Sequence, residues 1–317
     1  MQKSEPGADA TFRGKVEKTL RHYGRNAIRG VRGTWWDIAR LPADRPIFVV
    51  GCSRAGTTLV YKTFSESPAL GSLQRETHDF WMELHPLASR AWRSHALDGS
   101  DATDHDRDRA MRLFYRETGM RRFVDKNNQN GLCVRYLHAL WPDAYFVYVK
   151  RSPGDNINSL IEGWRRPGEF ATWSDSLPGT VAIDRGQVTK WCFFLPEGWR
   201  DYLTASLEEV CAFQYRMMNE SILSAREVVE TGRWVELAYE DLLRDPVDAF
   251  AKAYEACDVP FSAEVSRHCE TVLKRPYNAF SEIRLDKWRD GANRERIERV
   301  LPSVTAVAAQ MGYTNVG

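Results

Sequence analysis

Short apolar runs bounded by turn residues recur along the chain at residues 47–51 (IFVVG), 145–149 (YFVYV) and Trp234–Ala238 (WVELA). They are too short for helices and lack a polar face, which suits strands buried on both sides in a parallel sheet. Residues 122–125 are a weaker run of the same kind. Apolar positions at helical spacing lie between them, at 57–67, Val134–Leu140, 155–164 and 207–230. Strands alternating with helices predict βαβ units, hence an α/β fold with a central parallel sheet flanked by helices.

Two segments break the alternation. Residues 80–110 are irregular and rich in His, Asp and Arg. Residues 166–205 carry Pro167, Pro178 and Pro196 with Phe170, Trp173, Trp191, Phe193, Phe194, Trp199 and Tyr202. Long irregular stretches inside a compact domain are expected to be lids or binding loops. The aromatic side chains either pack the long loop or line an acceptor pocket.

At the N-terminus, Phe12, Val16, Leu20, Tyr23, Ala27, Val31 and Trp35 recur at helical spacing, while Gly14, Gly24, Gly30 and Gly33 weaken a helix. Residues 1–40 hold nine Lys/Arg against four Asp/Glu, a local charge of +5. Such an arm either packs on the main domain or presents a basic face to an anionic membrane surface or polymer. A linker at residues 42–46 divides the expected arm, residues 1–42, from the domain at 43–317.

Composition narrows the classes. The chain has 317 residues, 43% apolar and 27% charged, which excludes wholesale disorder and a disulfide-dense miniprotein. A net charge of +1 argues against a globally basic nucleic-acid binder. The six cysteines form no C-x-x-C pair and no zinc spacing, and scattered thiols in a long chain fit a reducing compartment. No secretory signal or membrane-length apolar stretch is apparent, so a soluble, cytoplasmic protein is expected, peripheral at the inner membrane face if the arm touches lipid.

Two motifs carry chemistry. After the first strand comes Gly51-Cys52-Ser53-Arg54-Ala55-Gly56, then a helix start at Thr57, Thr58 and Leu59. A strand, a Gly-bounded loop and a helix N-terminus converge backbone N–H groups on one point, an anion cradle, with the threonine hydroxyls able to cap the helix or meet phosphate oxygens. The G-x4-G spacing matches the nucleoside-triphosphate loop, but Thr57 stands where that loop needs lysine. After the 145–149 run, Arg151 precedes Ser159 by eight residues, offering a guanidinium fork and a helix hydroxyl to a second phosphate.

With these motifs the chain resembles the sulfotransferases that use 3′-phosphoadenosine-5′-phosphosulfate, in the branch with arginine in the first signature. Arg54-Ala55-Gly56-Thr57-Thr58 is similar to that family's first signature, with Ala55 in place of the usual serine. Arg151 and Ser159 are similar to its 3′-phosphate pair. Lys126, in Val124-Asp125-Lys126-Asn127-Asn128, resembles a lysine that reaches the sulfuryl group, although Asn127-Asn128 departs from the commoner Thr/Asp-Pro. Tyr239-Glu240-Asp241-Leu242 and Lys287-Trp288 resemble two further segments around the nucleotide.

The resemblance implies a P-loop-like fold and a sulfuryl transfer without metal. The nucleotide would be bound by Arg54, Ala55, Gly56, Thr57, Thr58, Leu59, Arg151, Ser159, Tyr239 and Lys287, with Arg54 and Lys126 stabilising developing charge. The acceptor is expected to be a hydroxyl of a glycan, glycolipid or secondary metabolite. Glu76 and His78 are both candidate bases: Glu76 matches a glutamate of the tyrosylprotein branch with a one-residue slip, and an imidazole suits neutral pH. In a strand the two side chains would share a face. A P-loop kinase and a binding-only nucleotide module are the alternatives.

Overall fold

The computed structural model describes residues 8–274 and 283–314, and side chains from Tyr23 onward apart from Arg25. Four strands form one parallel sheet: β1 (Ile47–Val50), β2 (Val124–Asp125), β3 (Tyr145–Lys150) and β4 (Trp234–Ala238), in the order β2-β1-β3-β4. Ile47 pairs with Val124 on one side and Tyr145 on the other, and Phe146 pairs with Trp234.

The sheet explains why its runs are apolar throughout. Alternate side chains of a strand point to opposite faces. Phe48, Val50, Phe146 and Tyr148 enter one core, while Ile47, Val49, Tyr145, Val147 and Val149 enter the other. The first core is closed by α4 (Asp104–Thr118), α5 (Val134–Leu140), α6 (Pro153–Trp164) and the helix Leu207–Ala225. The second is closed by α2 (Thr57–Phe64) and helices Pro246–Ala256 and Ala263–Cys269. Because every strand runs the same way, all four C-terminal ends open on one edge, where ligand sites of such sheets form.

Residues 80–110 are less irregular than their composition predicts. The short helix α3 (His78–Leu84) runs into them, and α4 begins at Asp104, capped by a reciprocal Thr103–Asp106 box. The aromatic segment 166–205 is mainly packing: Trp191, Phe193, Phe194 and Trp199 are buried. The two segments hold each other. The His95 N–H donates to the Leu195 carbonyl at 2.8 Å, the Leu195 N–H donates to His95 Nδ1 at 2.7 Å, and the Trp199 indole donates to the Trp92 carbonyl at 2.8 Å. Buried polar groups demand such partners.

The N-terminal arm is one helix, α1 (Ala8–Ala39), despite its glycines. Phe12, Val16 and Leu20 lie outside the described side chains. Trp36 is buried in the first core, and Arg29, Asp37 and Arg40 pair with Glu117, Arg112 and Asp108 of α4 at 2.7, 2.7 and 2.6 Å. One face of the arm thus packs on the domain.

His95 makes this packing sensitive to acid. Burial, with Arg90 and His78 nearby, pulls its imidazole from 6.5 down to about 3. Between those values the unfolded chain binds a proton that the folded chain refuses, so stability falls as pH falls through the window. His95→Gln should flatten the decline of Tm between pH 6.5 and 4, a window set by that shift. Parallel profiles for wild type and variant would refute the assignment.

Candidate functional site

The four strand ends surround an open cleft. β1 contributes Ser53, Arg54, Gly56, Thr57, Thr58 and Leu59; β2 contributes Lys126 and Asn128; β3 leads to Arg151, Asp155 and Ser159; β4 ends at Tyr239. Glu76, Phe170, Phe193 and Lys287 extend the wall beyond the strand ends. Among the described residues no cluster of three or more His, Cys, Asp or Glu is placed to hold a metal ion.

The loop after β1 departs from the sequence expectation in two details. The Ala55 N–H donates to the Cys52 carbonyl at 3.0 Å, and Ala55 is buried and absent from the cleft wall. Its N–H closes the turn. No threonine caps α2: Gly56 occupies the N-cap at φ 102°, with no side-chain hydrogen bond. The first N–H groups of α2 lack intrahelical acceptors and face the cleft end of the sheet.

Gly56 is also required by a neighbour. A Cβ there would lie 2.5 Å from Cδ2 of Tyr239, whose ring covers the loop. The same ring carries Arg151, whose guanidinium lies 4.3 Å from the centroid. Tyr239 therefore sets both phosphate-loop candidates at once.

Arg54 and Arg151 stand together. The Arg151 Nη1 donates to the Arg54 carbonyl at 2.9 Å, Arg54 Nε donates to Ser159 Oγ at 3.3 Å, and Asn156 Nδ2 donates to the Ser53 carbonyl at 2.9 Å. Burial, reinforced by the charge of Arg151, pulls the Arg54 guanidinium down to about 10, so it stays charged at neutral pH. Arg151 Nε is buried with no hydrogen-bond partner. A buried, charged donor without an acceptor fits an anion.

Glu76 and Lys126 form the opposite wall. Lys126 Nζ donates to Glu76 Oε1 at 2.5 Å and to Thr58 Oγ1 at 3.2 Å. The placement comes from the flanking residues: Thr77 Oγ1 donates to Asp125 Oδ1 at 2.6 Å, and the Trp81 indole donates to Asp125 Oδ2 at 3.2 Å. One buried bond thus ties the residue after Glu76 to the residue before Lys126. Burial raises the Asp125 carboxyl above its ordinary range.

His78 does not share this site. Residues 76 and 78 are not in a strand; Thr77 is the N-cap of α3 and His78 its first residue. The His78 ring reaches Asp79 at 3.1 Å and is absent from the cleft wall. The shared-face expectation failed because Thr77 turns the chain into a helix.

The late segment meets the cleft from the α6 side. Lys287 Nζ pairs with Glu162 at 3.2 Å, and the Asp286 N–H donates to Asp155 Oδ2 at 2.8 Å. A Cβ on Gly154 would lie 2.3 Å from Nε1 of Trp288, so that glycine admits the indole. Sequence reading gave no role of their own to Asp155, Glu162 and Glu240. The Glu240 carboxylate accepts from the Ser152 N–H at 2.9 Å and the Tyr313 hydroxyl at 2.7 Å, fixing the loop after β3. It also missed Asn128, whose amide donates to the Phe193 carbonyl at 2.8 Å; the Phe193 ring packs on Phe170, centroids 4.9 Å apart.

The Gly56–Tyr239 contact is testable. Gly56→Ala should cost about 1–3 kcal/mol through left-handed strain and overpacking. In a double-mutant cycle with Tyr239→Ala the losses should be less than additive, because removing the ring relieves the clash. Additive losses in thermal or denaturant unfolding would show that the two do not touch.

Known proteins share this fold. The family model described as Sulfotransferase family matches residues 46–263. The sulfotransferase STF9 from Mycobacterium avium is similar in structure, with a TM-score of 0.52 at 17% identity over 88% of this chain and 80% of that one. STF1 from Mycobacterium tuberculosis H37Rv gives a TM-score of 0.50 at 16% identity over 88% and 81%. A sulfotransferase from Alicyclobacillus acidocaldarius gives 0.50 at 17% identity over 85% and 96%. At such identities the likeness speaks for the fold. No curated protein sequence matches the chain.

Proposed function

We propose that this chain, which belongs to the sulfotransferase family, takes its sulfuryl group from 3′-phosphoadenosine-5′-phosphosulfate and passes it to a hydroxyl of a glycan, glycolipid or secondary metabolite. Membership in the family makes it a transferase enzyme; donor, acceptor class and residue roles are our reading. The observation that carries the reading is the pair Arg54 and Arg151, two guanidinium groups held together in the cleft, with Arg151 Nε buried and unpartnered.

The wall fits a bisphosphorylated nucleotide. Arg151 and Ser159 would take one phosphate as a fork and a neutral donor. The N-terminus of α2, with Gly56, Thr57 and Thr58, would take the phosphosulfate end. Tyr239 supports Arg151 through its ring, and Lys287 sits on the rim, paired to Glu162. A triphosphate has less support, because Thr57 occupies the position of the lysine that its loop requires.

Transfer then follows the logic of loose phosphoryl transfer. The acceptor oxygen attacks sulfur in line. A new S–O bond forms as the S–O bond to the 5′-phosphate breaks, and the electron pair stays on the leaving phosphate. Arg54 and the α2 amides face that growing charge as preorganised donors. Lys126 faces the sulfuryl oxygens. As they draw its ammonium, Glu76 is released to accept the acceptor's proton. Phe170 and Phe193 beside Asn128 give the acceptor end an apolar wall with one amide, compatible with a sugar ring or a small metabolite.

Thermal-shift titration separates the readings. Adenosine-3′,5′-bisphosphate should stabilise the protein, by about 2.7 kcal/mol at a hundredfold excess over Kd, and magnesium-ATP should not; the reverse would return the chain to kinase chemistry. Arg151→Ala should weaken bisphosphate binding about ten- to hundredfold, and unchanged affinity would sink the phosphate role. Glu76→Gln should lower kcat about 10²- to 10⁴-fold with bisphosphate affinity kept. If Glu76→Gln remains active while His78→Ala is dead, the base is the histidine. Bisphosphate binding without turnover over a panel of hydroxyl acceptors would favour a binding module.

A further inference from the structure

Among the described residues six large apolar side chains are exposed, and five of them lie on α1: Tyr23, Ile28, Val31, Trp35 and Ile38. Val31 and Ile38 are 71% and 74% exposed. Ile28, Val31, Trp35 and Ile38 follow one another at steps of three, four and three, so they share one face of a helix. The residues that meet α4 lie on the opposite face. These are Arg29 on Glu117, Gly33 against Arg112, Trp36 in the core, and Arg40 on Asp108. The helix is thus anchored by one side and apolar on the side turned outward, the reverse of a helix that merely covers a core.

Charge decides between occupants. Residues 13–32 carry seven Lys/Arg, of which Arg29 pairs with Glu117 and Arg32 donates to the Glu117 carbonyl, and a single acidic residue, Glu17. A second copy seated on this face would bring two such segments together, against like-charge repulsion. An anionic phospholipid surface complements them, and Trp35 and Tyr23 are the side chains that favour the headgroup boundary. No helix among the described residues is long and apolar enough to cross a membrane. We infer that α1 docks this protein on an anionic bilayer, lying in the interface plane with Ile28, Val31, Trp35 and Ile38 dipped among the acyl chains. The inference stands apart from the donor and acceptor assignments.

The test is co-sedimentation of the full chain with phosphatidylcholine vesicles prepared with and without phosphatidylglycerol. Binding should be at least about tenfold stronger on the anionic vesicles and should fall as salt rises. The double variant Val31→Glu/Trp35→Glu should lose at least about tenfold in vesicle binding, with Tm and bisphosphate affinity unchanged because both side chains are exposed. Arg21→Glu/Arg25→Glu keeps the apolar face and should lose the preference for phosphatidylglycerol. Equal binding to both vesicle types, or binding that survives in Val31→Glu/Trp35→Glu, would overturn the proposal. So would a dimer in sedimentation equilibrium that the same variant dissociates.

Discussion

Two positive charges side by side repel, yet Arg54 and Arg151 are fixed in contact in the cleft, and the rest of the architecture serves that placement. Arg151 is held by the Arg54 carbonyl and the ring of Tyr239, Arg54 by Ser159 and the Phe170 ring. The supports come from segments that follow different strands. A parallel sheet delivers its strand ends to one place, and two covering layers of helix let its apolar strands be buried on both faces. Burial weakens the hold of Arg54 on its proton, but about 10 leaves it cationic at neutral pH. The folded protein therefore carries an electrostatic demand that an anion satisfies, and the demand is built by tertiary structure rather than by either loop alone.

The sheet was legible because full burial erases the polar alternation: IFVVG and YFVYV have nowhere to put a polar residue. The loop and helix start after β1 were legible because the glycine and the helix start are local. What failed was also local in sequence but decided at a distance. Glu76 and His78 are two residues apart, and their surroundings differ because Thr77 bonds to Asp125, forty-eight residues away, and starts a helix there. The glycines of α1 lowered its propensity, and packing on α4 overrode that. The contacts Gly56–Tyr239 and Gly154–Trp288 leave no local pattern, since nothing near a glycine names the ring that will lie on it.

Acidic residues in a cleft that holds two arginines need a reason, and α6 supplies it. Asp155 lies near the start of this helix, where a carboxylate is favoured by the dipole. Its Oδ2 accepts from the backbone N–H of Asp286, while Arg151 also acts on its charge. Glu162, two turns on, holds Lys287. Beside Asp155, Gly154 seats Trp288. The helix that follows Arg151 thus fastens the late segment over the same cleft, using carboxylates aimed at that segment. Burial raises the Asp155 carboxyl while Arg151 opposes the rise, so Arg151 also helps keep the fastening charged.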